Sequence, residues 1–403
     1  MTGSPERERL LWILATATFI IFFQAYMVAP IIPMFSAVFH SPLRKVALVV
    51  PAYLIPYGVS TLIYGLLADR FGIRRVILAS LAVFSLLTAF TAISRSIDQV
   101  IVWRMLTGFG AGGVVPMALT LVGTSYTYAE RGRPLGWLFG AMAGGMAFGA
   151  PLGVVLVPFI GWRGLFLGVA VTGVVLLVFL VSYFRLHWTS TLTSPIKATF
   201  GEILQSYASI INTPRGRRTY GYVFVNSMFH SGVFAWIGVY FAQQFHLGSV
   251  AIGFALLGYG IPGFFLGPFI GRMADRWGRA KLLPFGLALS GFAAGILMIG
   301  FPVPLAPLVM MLLSLGYDMT QPLLGGIVTS LGGNRPGQSM GLNVFTLFVG
   351  FGVGSLIFGE VLHFGFEVAL GAFAAVELTA ALVSIRLFRF ELPSPKFAKD
   401  TSS

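Results

Sequence analysis

Gly65-Leu66-Leu67-Ala68-Asp69-Arg70-Phe71-Gly72-Ile73-Arg74-Arg75 has a second copy in Gly271-Arg272-Met273-Ala274-Asp275-Arg276-Trp277-Gly278-Arg279-Ala280-Lys281. Gly-x-x-x-Asp-Arg-x-Gly is complete in both, and Asp69 and Asp275 stand 206 residues apart. Pro116 and Pro322 keep that spacing, 322 − 116 = 206. A period of half the chain means two halves of the same orientation, a parallel repeat.

Each copy follows an apolar stretch. Stretches of about 20 residues, long enough to cross about 30 Å of hydrocarbon as a helix, recur along the chain. They lie at 11–33, 46–67, 76–94, 100–122, 135–158, 164–185, 219–242, 250–270, 281–301, 306–329, 339–361 and 366–387, numbered here as helices 1 to 12. The expected fold is all-α: a polytopic membrane protein with twelve transmembrane helices in two pseudo-symmetric six-helix bundles. Residues 1–185 form the first bundle, 186–217 a linker, 218–390 the second bundle and 391–403 a tail.

Composition agrees. Hydrophobic residues make up 57% of the 403 and charged residues 10%, against about 25% charged in a water-soluble globule. Mean hydropathy is +0.87. Such a chain cannot cover its surface with polar groups and needs lipid as solvent. The net charge of +13 lies in short basic clusters between apolar runs, which argues for loops at a lipid surface and against a nucleic-acid partner. Counted over alternate loops, Lys and Arg divide 21 to 4, with Arg104 inside a helix. The richer side carries both termini and the 186–217 linker, which should therefore face the cytoplasm. Glu6-Arg7-Glu8-Arg9 leads straight into a spanning stretch, so no cleavable signal is expected. With no cysteine and five scattered histidines, neither a metal site nor another cofactor is expected. An intramembrane enzyme would need a nucleophile with its base or a metal cluster, and the chain offers neither.

The repeated loop resembles the signature of the major facilitator superfamily, and the chain resembles that family's twelve-helix drug/metabolite:proton antiporters over nearly its whole length. Gly65 and Gly271 would admit a neighbouring helix, and Gly72 and Gly278 a tight turn. Asp69 and Asp275 can accept hydrogen bonds from the positive end of a neighbouring helix. Arg70, Arg74, Arg75, Arg276 and Arg279 can pair with acidic groups; Ile73 stands where the family commonly has a basic residue. The resemblance implies that these loops gate transport on the cytoplasmic side. Arg104-x-x-x-Gly108 in helix 4 resembles a second family motif, the alternative being an arginine that snorkels to the outer interface. In helix 5, Gly145, Gly149, Pro151 and Gly153 resemble the antiporter signature, with Ala150 inserted before the proline; ordinary small-residue packing is the alternative. Ala29-Pro30-Ile31-Ile32-Pro33 resembles the twin-proline end of helix 1 in the exporters, but no acid accompanies it.

A coupling carboxylate must then lie elsewhere. Asp318 is the thirteenth residue of the apolar stretch 306–329, near mid-depth. The resemblance implies that helices 1, 4, 7 and 10 line the central cavity. Helix 10 offers Ser314, Asp318 and Gln321 as one polar stripe, and helix 7 offers Asn226 and His230, followed by Phe234. Asp318 is the expected proton carrier, with His230 as charge partner or second carrier. The alternative makes Asp318 a packing group satisfied by Tyr317 or another neighbour. Gln24, Tyr26, Arg104, Asn226, His230, Trp236, Ser314, Gln321 and Asn343 are the expected cavity residues, with further aromatics such as Tyr53, Tyr57, Phe229, Tyr240 and Phe345. Aromatic walls with few polar groups suit small, largely apolar or amphipathic solutes. The function expected is proton-coupled export by a monomer in a bacterial-type plasma membrane, its partners being substrate, protons and lipid. Proton-coupled uptake of a nutrient or metabolite is the alternative, and a non-transporting sensor a remote one.

Orientation can be read directly in this cysteine-free chain. Single cysteines at Ser194 and Ser249 should label from the cytoplasmic and outer sides respectively; the reverse pattern would overturn the assignment.

Overall fold

In a computed structural model, residues 5–187, 200–256 and 258–391 are described; Ser194 and most of the expected tail lie outside them. Among the described residues, ten continuous helical stretches are long and apolar enough to cross a membrane. One of them, Gly132–His187, is two helices joined where Gly161 takes φ 67°. Helix 8 is interrupted and adds one more, so 10 + 1 + 1 gives the twelve expected.

Several helices break where the sequence reading drew them whole. Helix 1, Pro5–Tyr26, runs through a 3-10 turn at Ala29–Ile31 into Ile32–Val38, with Pro30 and Pro33 at the starts of the later segments. Helix 4 divides into Ile97–Ala111 and Val114–Ser125 around Gly112 and Gly113. A broken helix frees backbone groups that lipid cannot satisfy. Ser80 of helix 3 (Ile73–Ala92) answers this by accepting from Gly113 N at 3.1 Å and donating to Gly110 O. Helix 8 divides into Ser249–Leu256 and Ile261–Trp277, with Gly258, Tyr259 and Gly260 in the gap. The expected linker holds a helix at Phe200–Ile211, and helix 7 starts early, at Pro214.

Glycine sets the packing of helix 5. A side-chain carbon at Gly145, Gly149 or Gly153 would come within 2.6, 2.9 and 2.6 Å of the carbonyls of Phe19, Phe23 and Met27 on helix 1. The helices therefore touch backbone to backbone along this stripe, as small residues allow in lipid. Pro151 is exposed.

Contacts divide the chain into two compact units. One takes in the residues up to Thr124, Ala141–Ala208 and Gly332–Phe345; the other takes in Ser125–Gly140, Ser209–Leu331 and the residues from Thr346. Each unit thus contains a short stretch from the other half of the sequence. The two stretches correspond through the repeat: 125–140 shifted by 206 is 331–346, within a residue of 332–345.

Candidate functional site

Asp318 lies within helix 10 (Ala306–Leu331) and is partly accessible. Ser314, one turn earlier, donates to its Oδ2 at 2.6 Å and accepts from Gly260 N at 2.9 Å. Gly260 caps the second segment of helix 8 in the left-handed region, φ 80°, where glycine alone is unstrained. The carboxylate therefore sits at a helix N-terminus, where unpaired amides and the helix dipole favour negative charge. Ser314 is its side-chain hydrogen-bond partner.

His230, in helix 7 (Pro214–Gln244), is buried and shares a hydrogen bond with the Tyr259 hydroxyl in the helix 8 gap. Its ring stacks on Tyr317 at 3.7 Å between centroids, with Phe234 and Phe351 at 6.0 and 5.2 Å. Among the described residues no hydrogen bond or ion pair joins Asp318 to His230. Consecutive residues of the gap, Tyr259 and Gly260, reach the base and the acid's serine in turn. Sequence reasoning missed Tyr259. The signal lay in Gly258-Tyr259-Gly260-Ile261-Pro262, a helix-breaking run inside an apolar stretch.

The other expected cavity residues divide between the units. In the second, Asn226 donates to Thr320 at 2.7 Å, and Trp236 donates to the Ser355 carbonyl at 2.9 Å. Gln321 is buried and its amide nitrogen has no partner among the described residues. Tyr240 and Phe229 are buried in packing, Tyr240 donating to the Leu297 carbonyl. In the first unit, Gln24 and Asn343 are buried; neither polar atom of the Gln24 amide nor the Asn343 Oδ1 finds a partner among the described residues. Tyr26 is partly exposed.

Arg104 does not snorkel. It is fully buried and donates to three backbone carbonyls: Val49 at 2.5 Å, Gln24 at 3.3 Å and Ala25 at 3.2 Å. Its guanidinium lies over the Tyr53 ring at 5.0 Å. These carbonyls belong to the end of helix 1 and the approach to helix 2 (Pro51–Phe71), so the arginine ties helix 4 to both.

The two signature loops do the same thing at two places. Asp69 accepts from Gly337 N and Gln338 N, each at 3.0 Å, at the start of helix 11 (Pro336–Val361). Asp275 accepts from Gly132 N at 3.0 Å and Arg133 N at 3.3 Å, at the start of helix 5. Gly65 and Gly271 lie against the backbones of Gly337 and Gly132, with no room for a side chain. Gly72 and Gly278 take φ of 92° and 84°. The arginines differ between the copies. Arg279 is buried, 3.7 Å from Asp275, donates to the Tyr128 carbonyl and lies over its ring at 4.2 Å. Arg74 lies over the Phe184 ring, and Arg70, Arg75 and Arg276 are exposed.

Two acids have surroundings that the sequence did not reveal. Glu377 of helix 12 (Phe366–Leu387) is fully buried, and neither oxygen finds a partner among the described residues. Glu391, the first residue of the expected tail, is docked and buried. It takes a two-pronged contact from Arg215 at 2.8 and 2.9 Å, Arg218 at 2.6 Å and the Tyr128 hydroxyl at 2.6 Å. Burial alone would raise its carboxyl, but the hydrogen bonds from Arg215 and Tyr128 and the charges of Arg215 and Arg218 hold it below the ordinary range.

These features describe a membrane-spanning helical protein with duplicated signature loops and a mid-helix carboxylate. The Major Facilitator Superfamily sequence model matches residues 14–255 and 219–403, and the chain belongs to that family. It is 25% identical to an uncharacterized MFS-type transporter, YwfA, of Bacillus subtilis over 89% of its own length and 85% of that protein's. It is 24% identical to multidrug resistance protein 2 of the same organism, over 90% and 92%. The human organic anion transporter MFSD10 shares the fold with a TM-score of 0.78 at 17% identity, over 95% of this chain and all of that one. The protein is thus an integral membrane transporter and not an enzyme.

The Glu391 cluster carries a pH signature. A carboxyl held below its ordinary value contributes stability that is complete above the unfolded value and lost as pH falls through the folded one. Glu391→Gln should therefore cost about 2 kcal/mol near neutral pH, read from thermal unfolding in detergent. The gap to wild type should close as pH drops below the ordinary carboxylate range; a gap that persists there would mean that charge is not what Glu391 supplies.

Proposed function

We propose that the protein exports small, largely apolar or amphipathic compounds in exchange for protons, by alternating access, with Asp318 as the proton carrier and His230 as its charge partner or second carrier. Asp318 carries this reading. It is a partly accessible carboxylate in mid-helix, and an intramembrane acid is by default a functional site, proton relays among the uses. The aromatic surroundings of His230 suit solutes held by area burial more than by fixed hydrogen bonds. A relative named multidrug resistance protein, aligned over 90% of the chain, favours export over uptake.

On this reading the 21 to 4 division of basic residues puts the termini and both signature loops in the cytoplasm of a bacterial-type cell. The protein works as a monomer. Proton entry from the acidic outside neutralises Asp318, and substrate or a charged His230 favours release once the cavity faces inward. The aspartate caps on helices 5 and 11 hold the cytoplasmic ends of the two sequence halves together and let go during the swing.

Asp69→Asn should lower transport while membrane insertion stays normal, and Asp275→Asn should have the milder effect. Wild-type transport by the double variant would remove the gating role. The test of the reading itself is Asp318→Asn in liposomes, with proton and substrate fluxes followed together. Uphill, pH-driven transport should be lost and downhill exchange kept; uphill transport at wild-type stoichiometry would make Asp318 a packing residue.

A further inference from the structure

The second segment of helix 8 has an aspartate contact at each end. At its N-terminal cap Gly260 donates to Ser314, which donates in turn to Asp318. Its last turn carries Asp275, whose two oxygens hold the first amides of helix 5. The segment has 17 helical residues, about 25 Å of continuous helix at about 1.5 Å per residue. Pro268 falls inside the segment without interrupting it.

The side of this segment that meets helix 5 is smooth. Gly263, Gly267 and Gly271 repeat at four-residue spacing, one face of a helix. Gly132, Gly136 and Gly140 of helix 5 repeat the same way. A side-chain carbon at Gly140 would come within 2.7 Å of the Gly263 carbonyl, and carbons at Gly136 and Gly132 would strike Gly267 and Gly271. Nothing on this stripe interlocks, so the helices can shift along one another without repacking side chains. The first half of the sequence lacks the device. At 263 − 206, 267 − 206 and 271 − 206 it has Tyr57, Thr61 and Gly65, and Thr61 is tied across to the Gly341 carbonyl at 3.1 Å.

We propose that the helical segment Ile261–Trp277 is a connecting rod: it transmits the charge state of Asp318 to the Asp275 cap on helix 5 by sliding on its glycine face, with Ser314 as the positioning residue that ties the rod to the acid. The proposal rests on the proton-coupling reading of Asp318 and adds the path by which that charge reaches a gating loop. When the carboxylate is charged, the Ser314 hydroxyl and the helix N-terminus are drawn to it. When it is neutral the pull weakens, the rod shifts, and the bonds from Asp275 to Gly132 and Arg133 loosen. Tyr259, at the rod's head, moves with it and carries the change to His230.

The test is backbone hydrogen–deuterium exchange over residues 132–140 of the full chain in lipid nanodiscs, at one fixed pH. Asp318→Asn stands in for the neutral acid and should speed exchange there about tenfold, within the 5–150-fold range usual for coupled sites. In a Ser314→Ala background the same substitution should change exchange less than about threefold, because the coupled pair is no longer additive. Ser314→Thr, which keeps the hydroxyl, should restore the full effect. Asp275→Asn makes the test from the far end: exchange is already fast, and Asp318→Asn adds nothing. An equal effect of Asp318→Asn in the wild-type, Ser314→Ala and Asp275→Asn backgrounds would overturn the rod, and so would no effect in the wild-type background. The two readings fail separately. Uphill transport surviving Asp318→Asn removes the proton coupling, whereas its loss with unchanged exchange at 132–140 removes only the rod.

Discussion

A helix that begins in or near lipid has amide groups with no water to receive them, and three aspartates of this chain answer that constraint. Asp69 holds the start of helix 11, Asp275 the start of helix 5, and Asp318, through Ser314, the start of the second segment of helix 8. Each brings a negative charge to the positive end of a helix from a different part of the sequence. Each is also a contact whose strength depends on one charge. The fold is thus fastened at points that a proton, a substitution or a cationic solute can weaken.

The duplicated signature made the architecture legible. A glycine, an aspartate four residues on and a glycine three beyond that set the close approach, the cap and the turn in each copy, and the structure has all three in both. The helix 5 stripe at Gly145, Gly149 and Gly153 was legible too, because four-residue spacing of glycine has few other uses in an apolar helix. Apolar length, by contrast, does not report continuity. Residues 250–270 look like one span, and the break at Gly258–Gly260 is tolerated only because Ser314 and His230, far off in sequence, receive what the break exposes. The partners of Arg104 and Glu391 escaped for the same reason. Three backbone carbonyls answer the one, and Arg215, Arg218 and Tyr128 the other; partners more than fifty residues away leave no mark on local pattern.

The two copies of the repeat are built alike but fastened differently. The first has a threonine hydrogen bond across to helix 11; the second has a glycine face, a buried Arg279 and a helix that reaches back to Asp318. On the proposed reading this asymmetry is functional. The acid, the histidine and the smooth helix all lie in the second unit, so the proton's work is done there and the first copy closes the opposite fastening.

On the proposed reading, protons and substrate move in opposite directions through this chain. This is tested most directly by purified wild-type protein in liposomes that hold equal concentrations of a lipophilic cation on both sides of an imposed pH gradient. The account predicts that the cation accumulates on the acidic side while the gradient runs down faster than in liposomes without substrate. Accumulation on the alkaline side, or a pH gradient that leaves the cation evenly distributed, would contradict it.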